Sequence, residues 1–137
     1  MKLLAALPGL LWPLVAYLAI VYLGGGTQTL YSVLFEVPLF SGVAMKVTTN
    51  GLLVMIALVF LFFEVLKSTR ISTVAIVDHM MSTFVFIGYL MAFLLIPACG
   101  NQFFLMLLIM ALIDVLAGFT VTITAARRDI GIDKQSI

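Results

Sequence analysis

The ionisable side chains that interrupt the apolar runs of this sequence are the residues that could carry chemistry. Asp114 lies about 11 residues into the apolar run 103–126, which places its carboxyl group near the centre of a bilayer at 1.5 Å per residue. A charge at that depth is costly, so the group must pair, contact water or stay protonated. It could bind a proton or a cation. It could equally form a hydrogen bond between helices, to Tyr89, Ser82 or Thr83, or to a second copy of the chain.

A second polar group is predicted at one membrane surface. Its members are Glu64, Lys67, Arg70, Asp78 and His79. Glu64 precedes Lys67 by one helical turn, a spacing at which two side chains on one helix can form an ion pair. Asp78 belongs to the first turns of the third apolar run, where the helix dipole favours an anion. The group could be a proton uptake route from Asp78 and His79 toward Asp114. It could also be an interfacial charge network that anchors a short loop.

Small side chains share a helix face with Asp114. At helical spacing this face carries Ala111, Gly118, Thr122 and Ala125. Small residues in such a pattern allow helices to approach closely in lipid. The face therefore predicts that Asp114 points into protein rather than into lipid, and it is otherwise typical of helix packing.

The composition restricts the remaining chemistry. With one cysteine and one histidine, the chain can form neither an internal disulfide nor a histidine-rich metal site. It has no phosphate-binding loop, nucleophile elbow or dinucleotide fingerprint. We therefore predict no enzymatic activity, no metal and no cofactor. The net charge of +1 and the lack of a basic run argue against nucleic acid as a partner.

Four apolar runs must position these residues. The 137 residues are 64% hydrophobic and 9% charged, whereas soluble domains carry about 25% charged residues. Because about 20 apolar residues cross the hydrocarbon core, the sequence predicts an all-α bundle of four transmembrane helices within one membrane domain. The predicted helices lie at about 3–23, 51–68, 73–96 and 102–126, and a cytoplasmic tail follows at 127–137.

The first run also resembles a signal peptide, because Lys2 precedes an apolar stretch. Its length and the presence of Trp12 and Pro13 favour a membrane helix instead. Pro13 should kink that helix or loosen its first turns.

The distribution of basic residues predicts the orientation in the membrane. Six of the seven lie on one side if both termini are cytoplasmic: Lys2, Lys67, Arg70, Arg127, Arg128 and Lys134. Only Lys46 then lies outside. This bias follows the positive-inside rule, and it predicts an integral protein of a membrane such as the bacterial inner membrane.

The long connection between the first and second runs is predicted to form an extracytoplasmic β-hairpin at about 29–49. Segments of alternating polarity flank Phe40-Ser41-Gly42, which is typical of a three-residue turn with the glycine in the left-handed region. In that register Glu36 faces Lys46 as an opposite-charge pair. The competing prediction is a short interfacial helix, because apolar residues here also fit helical spacing, namely Leu30, Val33, Leu34 and Val37.

Two functional hypotheses follow. The first is a non-catalytic structural or accessory subunit that packs against copies of itself or within a larger membrane complex, since the chain is small and lacks catalytic motifs. The alternative is a proton- or ion-coupled small transporter or channel that uses Asp114. A membrane enzyme that acts on lipid or quinone ranks third. The expected partners are the lipid bilayer and other membrane subunits.

Overall fold

The computed structural model describes residues 7–70 and 73–135, which are mostly helical. The described part contains five α-helices: α1 (Leu11–Leu23), α2 (Thr27–Tyr31), α3 (Thr49–Ser68), α4 (Thr73–Leu95) and α5 (Gln102–Gln135). Strands β1 (Val33–Pro38) and β2 (Ala44–Thr48) lie between α2 and α3, and a short 3-10 turn at Pro97–Cys99 joins α4 to α5.

Three of these helices, α3, α4 and α5, are long and apolar enough to cross a membrane. They run alternately up and down, so the hairpin and the turn at Pro97–Cys99 lie at one end, here called the hairpin end. Thr69 and Arg128 lie together at the opposite end, here called the basic end. The three helices are those of an integral membrane protein.

The first predicted membrane helix, at 3–23, is only partly present in the described residues. Helix α1 has 13 residues, or about 20 Å, against a hydrocarbon core of about 30 Å. Residues 1–6 lie outside the described part. Pro13 occupies the first turn of α1, and because it has no N–H, the Gly9 carbonyl accepts a hydrogen bond from the Trp12 N–H instead, at 3.2 Å.

The predicted β-hairpin is confirmed. Gly42 has φ of +84°, and Glu36 faces Lys46 in the antiparallel register, with their charged groups 3.7 Å apart. The competing prediction of an interfacial helix is wrong for the strand residues. However, the predicted range of 29–49 begins too early, because residues up to Tyr31 belong to the short helix α2.

Only the base of the hairpin packs on the helices. Val47 and Leu30 are buried there, and the Thr49 N–H donates to the Ser32 carbonyl at 3.1 Å. Large apolar side chains farther along are about half exposed or more, and Phe40 at the turn touches no other part of the described chain. The described part of the chain therefore leaves the rest of the hairpin exposed.

Helix α5 extends well past the predicted end of the fourth span. It has 34 residues and continues through Arg127 and Arg128 to Gln135. No proline interrupts this segment, and a single helical glycine, Gly131, costs only about 1 kcal/mol. The predicted cytoplasmic tail is therefore largely a continuation of the helix.

Three buried aromatic rings hold α1 against α4 and α5. Phe104 packs edge-on against Tyr17, with ring centroids 4.8 Å apart, and also contacts Tyr89 at 5.6 Å. The Tyr17 hydroxyl donates to the Ala98 carbonyl at 2.8 Å, and the Tyr89 hydroxyl donates to the Leu10 carbonyl at 2.7 Å. These hydroxyls find partners where water cannot supply them, as buried tyrosines require.

Replacing Tyr89 with phenylalanine should lower the free energy of unfolding in detergent by about 1 kcal/mol, the net value of one buried hydrogen bond. The ring packing stays, so only the bond to Leu10 is lost. Tyr22→Phe is the matched control, because Tyr22 is 67% exposed. Denaturant titration monitored by circular dichroism measures both variants, and equal stability of the two would contradict a structural role for the Tyr89 hydroxyl.

Candidate functional site

Each of the three long helices contributes one carboxylate to a polar group inside the bundle. We call this group the acidic cluster and define it as Glu64 on α3, Asp78 and Ser82 on α4, and Asp114 on α5, together with Lys67. Glu64, Ser82 and Asp114 are each at most 5% exposed. The cluster lies in the half of the bundle toward the basic end.

Lys67 joins two of these carboxylates. Its Nζ lies 3.2 Å from both carboxylate oxygens of Glu64 and 3.2 Å from Oδ2 of Asp78. The Glu64–Lys67 ion pair that the spacing on one helix predicts is present. The bridge to Asp78 joins α3 to α4, and local spacing contains no information about it.

The start of α1 closes over Glu64. The Gly9 N–H donates to Glu64 Oε1 at 2.6 Å. A Cβ at Gly9 would lie 3.0 Å from that oxygen and 3.2 Å from the Phe60 ring, so any larger residue would push Glu64 and Phe60 away by a few tenths of an ångström. Among the residues that contact the cluster, Gly9 is the one that sequence reasoning missed, because neither its type nor its position indicates a carboxylate partner.

Asp114 is 4% exposed, as the small-residue face predicts. The Ser82 hydroxyl is its hydrogen-bond partner, and Glu64, Asp78 and Lys67 are near enough to act on it electrostatically. The sequence proposes three partners for Asp114, namely Tyr89, Ser82 and Thr83, and Ser82 is the one that it meets in the structure.

The other two proposed partners of Asp114 bind elsewhere. The Tyr89 hydroxyl donates to the Leu10 carbonyl, and the Thr83 hydroxyl donates to the backbone carbonyl of His79 at 2.9 Å. Thr83 is adjacent to Ser82 and therefore points in a different direction from the helix. Tyr89 lies on the same face as Ser82 but two turns, about 10 Å, farther along α4.

The acidic cluster contains three carboxyl groups and a single cation, Lys67. Arg70, which the sequence groups with them, is exposed and makes no ion pair within the described residues. Asp78 Oδ1 is buried, with no hydrogen-bond partner in the described part of the chain. An excess of negative charge inside protein is costly unless protons or cations neutralise it.

His79 stands apart from the cluster. Its ring lies on Gly118 of α5, where an added Cβ would come within 2.8 Å of two ring carbons. Asp78 turns toward Lys67, whereas the neighbouring His79 contacts α5, so the two residues do not form one continuous route to Asp114 in this structure.

The small-residue face of α5 is used within the chain only in the half that contains Asp114. Ala111 and Gly118 are buried against the other helices. The Thr122 hydroxyl donates to the Gly118 carbonyl at 3.0 Å, but Thr122 itself is exposed and Ala125 is half-buried. The part of this face toward the basic end is therefore left open by the described residues.

Two further buried polar groups lie toward the hairpin end. Asn50 is 1% exposed, and neither of its amide atoms has a partner among the described residues. Cys99 is fully buried, and burial raises the pKa of its thiol to about 11, so the thiol stays protonated at neutral pH. Neither contacts the acidic cluster, and sequence reasoning did not predict the burial of Asn50.

The carboxylates of the cluster are not arranged around one point. Within residues 7–70 and 73–135, no three side chains of His, Cys, Asp or Glu are placed to hold a metal ion. Instead, Lys67 joins Glu64 to Asp78, and Ser82 pairs with Asp114, so the cluster consists of two polar groupings on neighbouring turns of α4.

Comparisons with protein-family models, with curated proteins and with solved structures gave no match to this chain.

Proposed function

We propose that the protein is an integral membrane protein with four membrane segments, of which the run 3–23 is the first. Both termini are then cytoplasmic, and the basic end faces the cytoplasm. The proposal is supported by the bias of six basic residues against one. A bacterial inner membrane fits this pattern, with the β-hairpin on the opposite side.

Within that topology, the protein acts as a small proton-coupled transporter or channel. The single observation that carries this proposal is the excess of buried carboxyl groups over cations in the acidic cluster. Glu64, Asp78 and Asp114 share one ammonium group, Lys67. One polar pair is enough to form a structural hydrogen bond between two helices. The cluster has more carboxyl groups than that role needs, and the surplus carboxyl group is the one that exchanges protons.

Protons would reach Asp114 from the basic end. Asp78 is 13% exposed at its side chain and is the outermost carboxyl group of the three. To reach Asp114, a proton taken up there has to cross one turn of α4, from Asp78 to Ser82, whose hydroxyl pairs with the Asp114 carboxyl group. Gly9 and the start of α1 cover Glu64, so uptake is limited to the side of α4.

The test is proton flux into proteoliposomes that contain a pH-sensitive dye and a potassium gradient with valinomycin. With wild-type protein the lumenal pH should change faster than in protein-free vesicles. Asp114→Asn should reduce this rate at least tenfold, because general acid–base groups typically contribute about 10²-fold or more. Asp114→Glu should keep part of the flux, because it retains a carboxyl group.

Ser68→Ala is the matched control. Ser68 is as buried as Asp114, but its hydroxyl bonds only to the Val65 carbonyl of its own helix, at 2.7 Å. Its flux should equal that of wild type. A wild-type protein that gives no flux above protein-free vesicles, with correct assembly shown by gel filtration, would reject the proposal.

A second candidate function is a non-catalytic structural or accessory subunit. It is favoured by the hairpin, whose apolar side chains beyond the base stay exposed, Phe40 most of all. Absence of flux, together with a stable complex recovered in mild detergent, would support this candidate over proton transport.

A further inference from the structure

A groove on the membrane-facing side of α4 and α5 has a volume of about 300 Å³. Four apolar side chains form its walls: Ile76, Met80, Phe84 and Phe119. Each of them is more than half exposed. Because α4 and α5 cross the membrane in the proposed topology, these exposed walls face hydrocarbon, and a ligand would enter from the bilayer rather than from water.

One part of the groove is polar, and its geometry depends on a glycine. His79, Thr83 and Thr122 line it. The His79 ring reaches the surface of α5 because Gly118 has no side chain. The same contact fixes the ring between the two helices, at the edge of the groove.

The hydrogen-bonding groups of this part define the ligand. Thr83 and Thr122 donate their hydroxyl protons to their own helix backbones, so toward the groove they present only acceptor lone pairs. The His79 ring has no hydrogen-bond partner within the described residues, and because its Nδ1 lies against Gly118, Nε2 is the ring nitrogen left to donate to a ligand. The groove therefore fits a group that both donates and accepts, which a hydroxyl group does.

The charge of the lining is also informative. Among the described residues no lysine or arginine lines the groove, so they offer a phosphate or carboxylate head group no counter-ion. His79 lies six residues after the start of α4, or about 9 Å along the helix axis, near the depth at which polar head groups meet hydrocarbon.

We propose that this groove binds an uncharged amphiphile, with its hydroxyl head group against His79 and its apolar chain along Phe84 and Phe119. The proposal does not depend on proton movement through Asp114. An acyl chain of an ordinary phospholipid lacks the hydroxyl group. A second copy of the protein would cover the groove without discriminating between lipids.

The test uses tryptophan fluorescence in liposomes. In a Trp12→Phe background, Phe84→Trp places the reporter in the groove wall. Phe62→Trp places a control reporter on α3, where Phe62 is 60% exposed but does not line the groove. Dibrominated stearyl alcohol is the probe, and a phosphatidylcholine with dibrominated chains at the same bromine content is the reference.

The alcohol should quench the Phe84→Trp reporter as strongly as if its local concentration in the groove were about fivefold that of the reference lipid. One net hydrogen bond changes a binding constant by about this factor. The Phe62→Trp reporter should show no enrichment. His79→Leu should abolish the preference, and His79→Gln should retain part of it, because glutamine keeps a donor and an acceptor. If Phe84→Trp does not fold, Phe119→Trp reports from the other wall.

Equal quenching by the alcohol and by the reference lipid at Phe84→Trp would overturn the proposal. So would a preference that survives His79→Leu, because the hydroxyl group would then bind elsewhere. Protection of the groove reporter from both brominated lipids would indicate a second copy as the occupant, which also rejects the amphiphile.

Discussion

Replacement of Lys67 by methionine is expected to lower the free energy of unfolding in detergent by about 3 kcal/mol, which is the largest effect predicted for a single substitution in this protein. Lys67 is the only cation that contacts Glu64 and Asp78 in the described structure. Methionine preserves the length and the apolar character of the side-chain stem. What is lost is the ammonium group, and two inward-facing carboxylates are then left without a counter-ion.

The hairpin offers a matched control on the same chain. Lys46 pairs with Glu36 at 3.7 Å, but both side chains are more than half exposed. Water and salt screen such a pair, so Lys46→Met should change the stability by less than about 0.5 kcal/mol. Denaturant or SDS titration followed by circular dichroism measures both variants under identical conditions.

A second substitution separates electrostatics from packing. In the Lys67→Met background, Glu64→Gln removes the buried negative charge and should recover part of the lost stability. If Lys67→Met and Lys46→Met are equally mild, the acidic cluster is solvated, and its charge does not need to be neutralised by protons.

The second large effect is expected at Gly118, where alanine should cost about 2 kcal/mol through overpacking. An added Cβ would lie 2.8 Å from Cε1 and Cγ of His79 and would overlap Nδ1. The ring is held between two helices, so one of the two has to move. Unfolding titrations in detergent give the cost directly.

Two companion variants make this prediction specific. Gly118→Ala combined with His79→Ala should lose much less stability than the sum of the two single variants, because the smaller side chain removes the overlap. Gly131→Ala lies on the same helix in open space, and it should stabilise the protein by about 0.5 kcal/mol because alanine is the better helix former. A similar loss at both glycines would contradict the close contact with His79.

The site was only partly predictable from the sequence. The Glu64–Lys67 pair follows from spacing along one helix, and the burial of Asp114 follows from the small-residue face around it. The link from Lys67 to Asp78 joins two different helices, and the contact of Gly9 with Glu64 joins residues 55 positions apart in the chain. Local patterns contain no information about such pairs.

The sequence alone determined the apolar runs of α3, α4 and α5 and the register of the hairpin. Both depend on neighbouring residues: a helix needs a run of apolar residues long enough for the membrane, and the turn needs Gly42 in the left-handed region between alternating strands.

Only the tertiary structure decided which groups meet Asp114, where α1 begins and which side chain lies on Gly118. In a chain that is 64% hydrophobic, lipid-facing and protein-facing helix surfaces are similarly apolar, so periodicity does not reveal how a helix is rotated. Rotation and axial offset were set instead by close packing at Gly9 and Gly118 and by the need of each buried polar group for a partner.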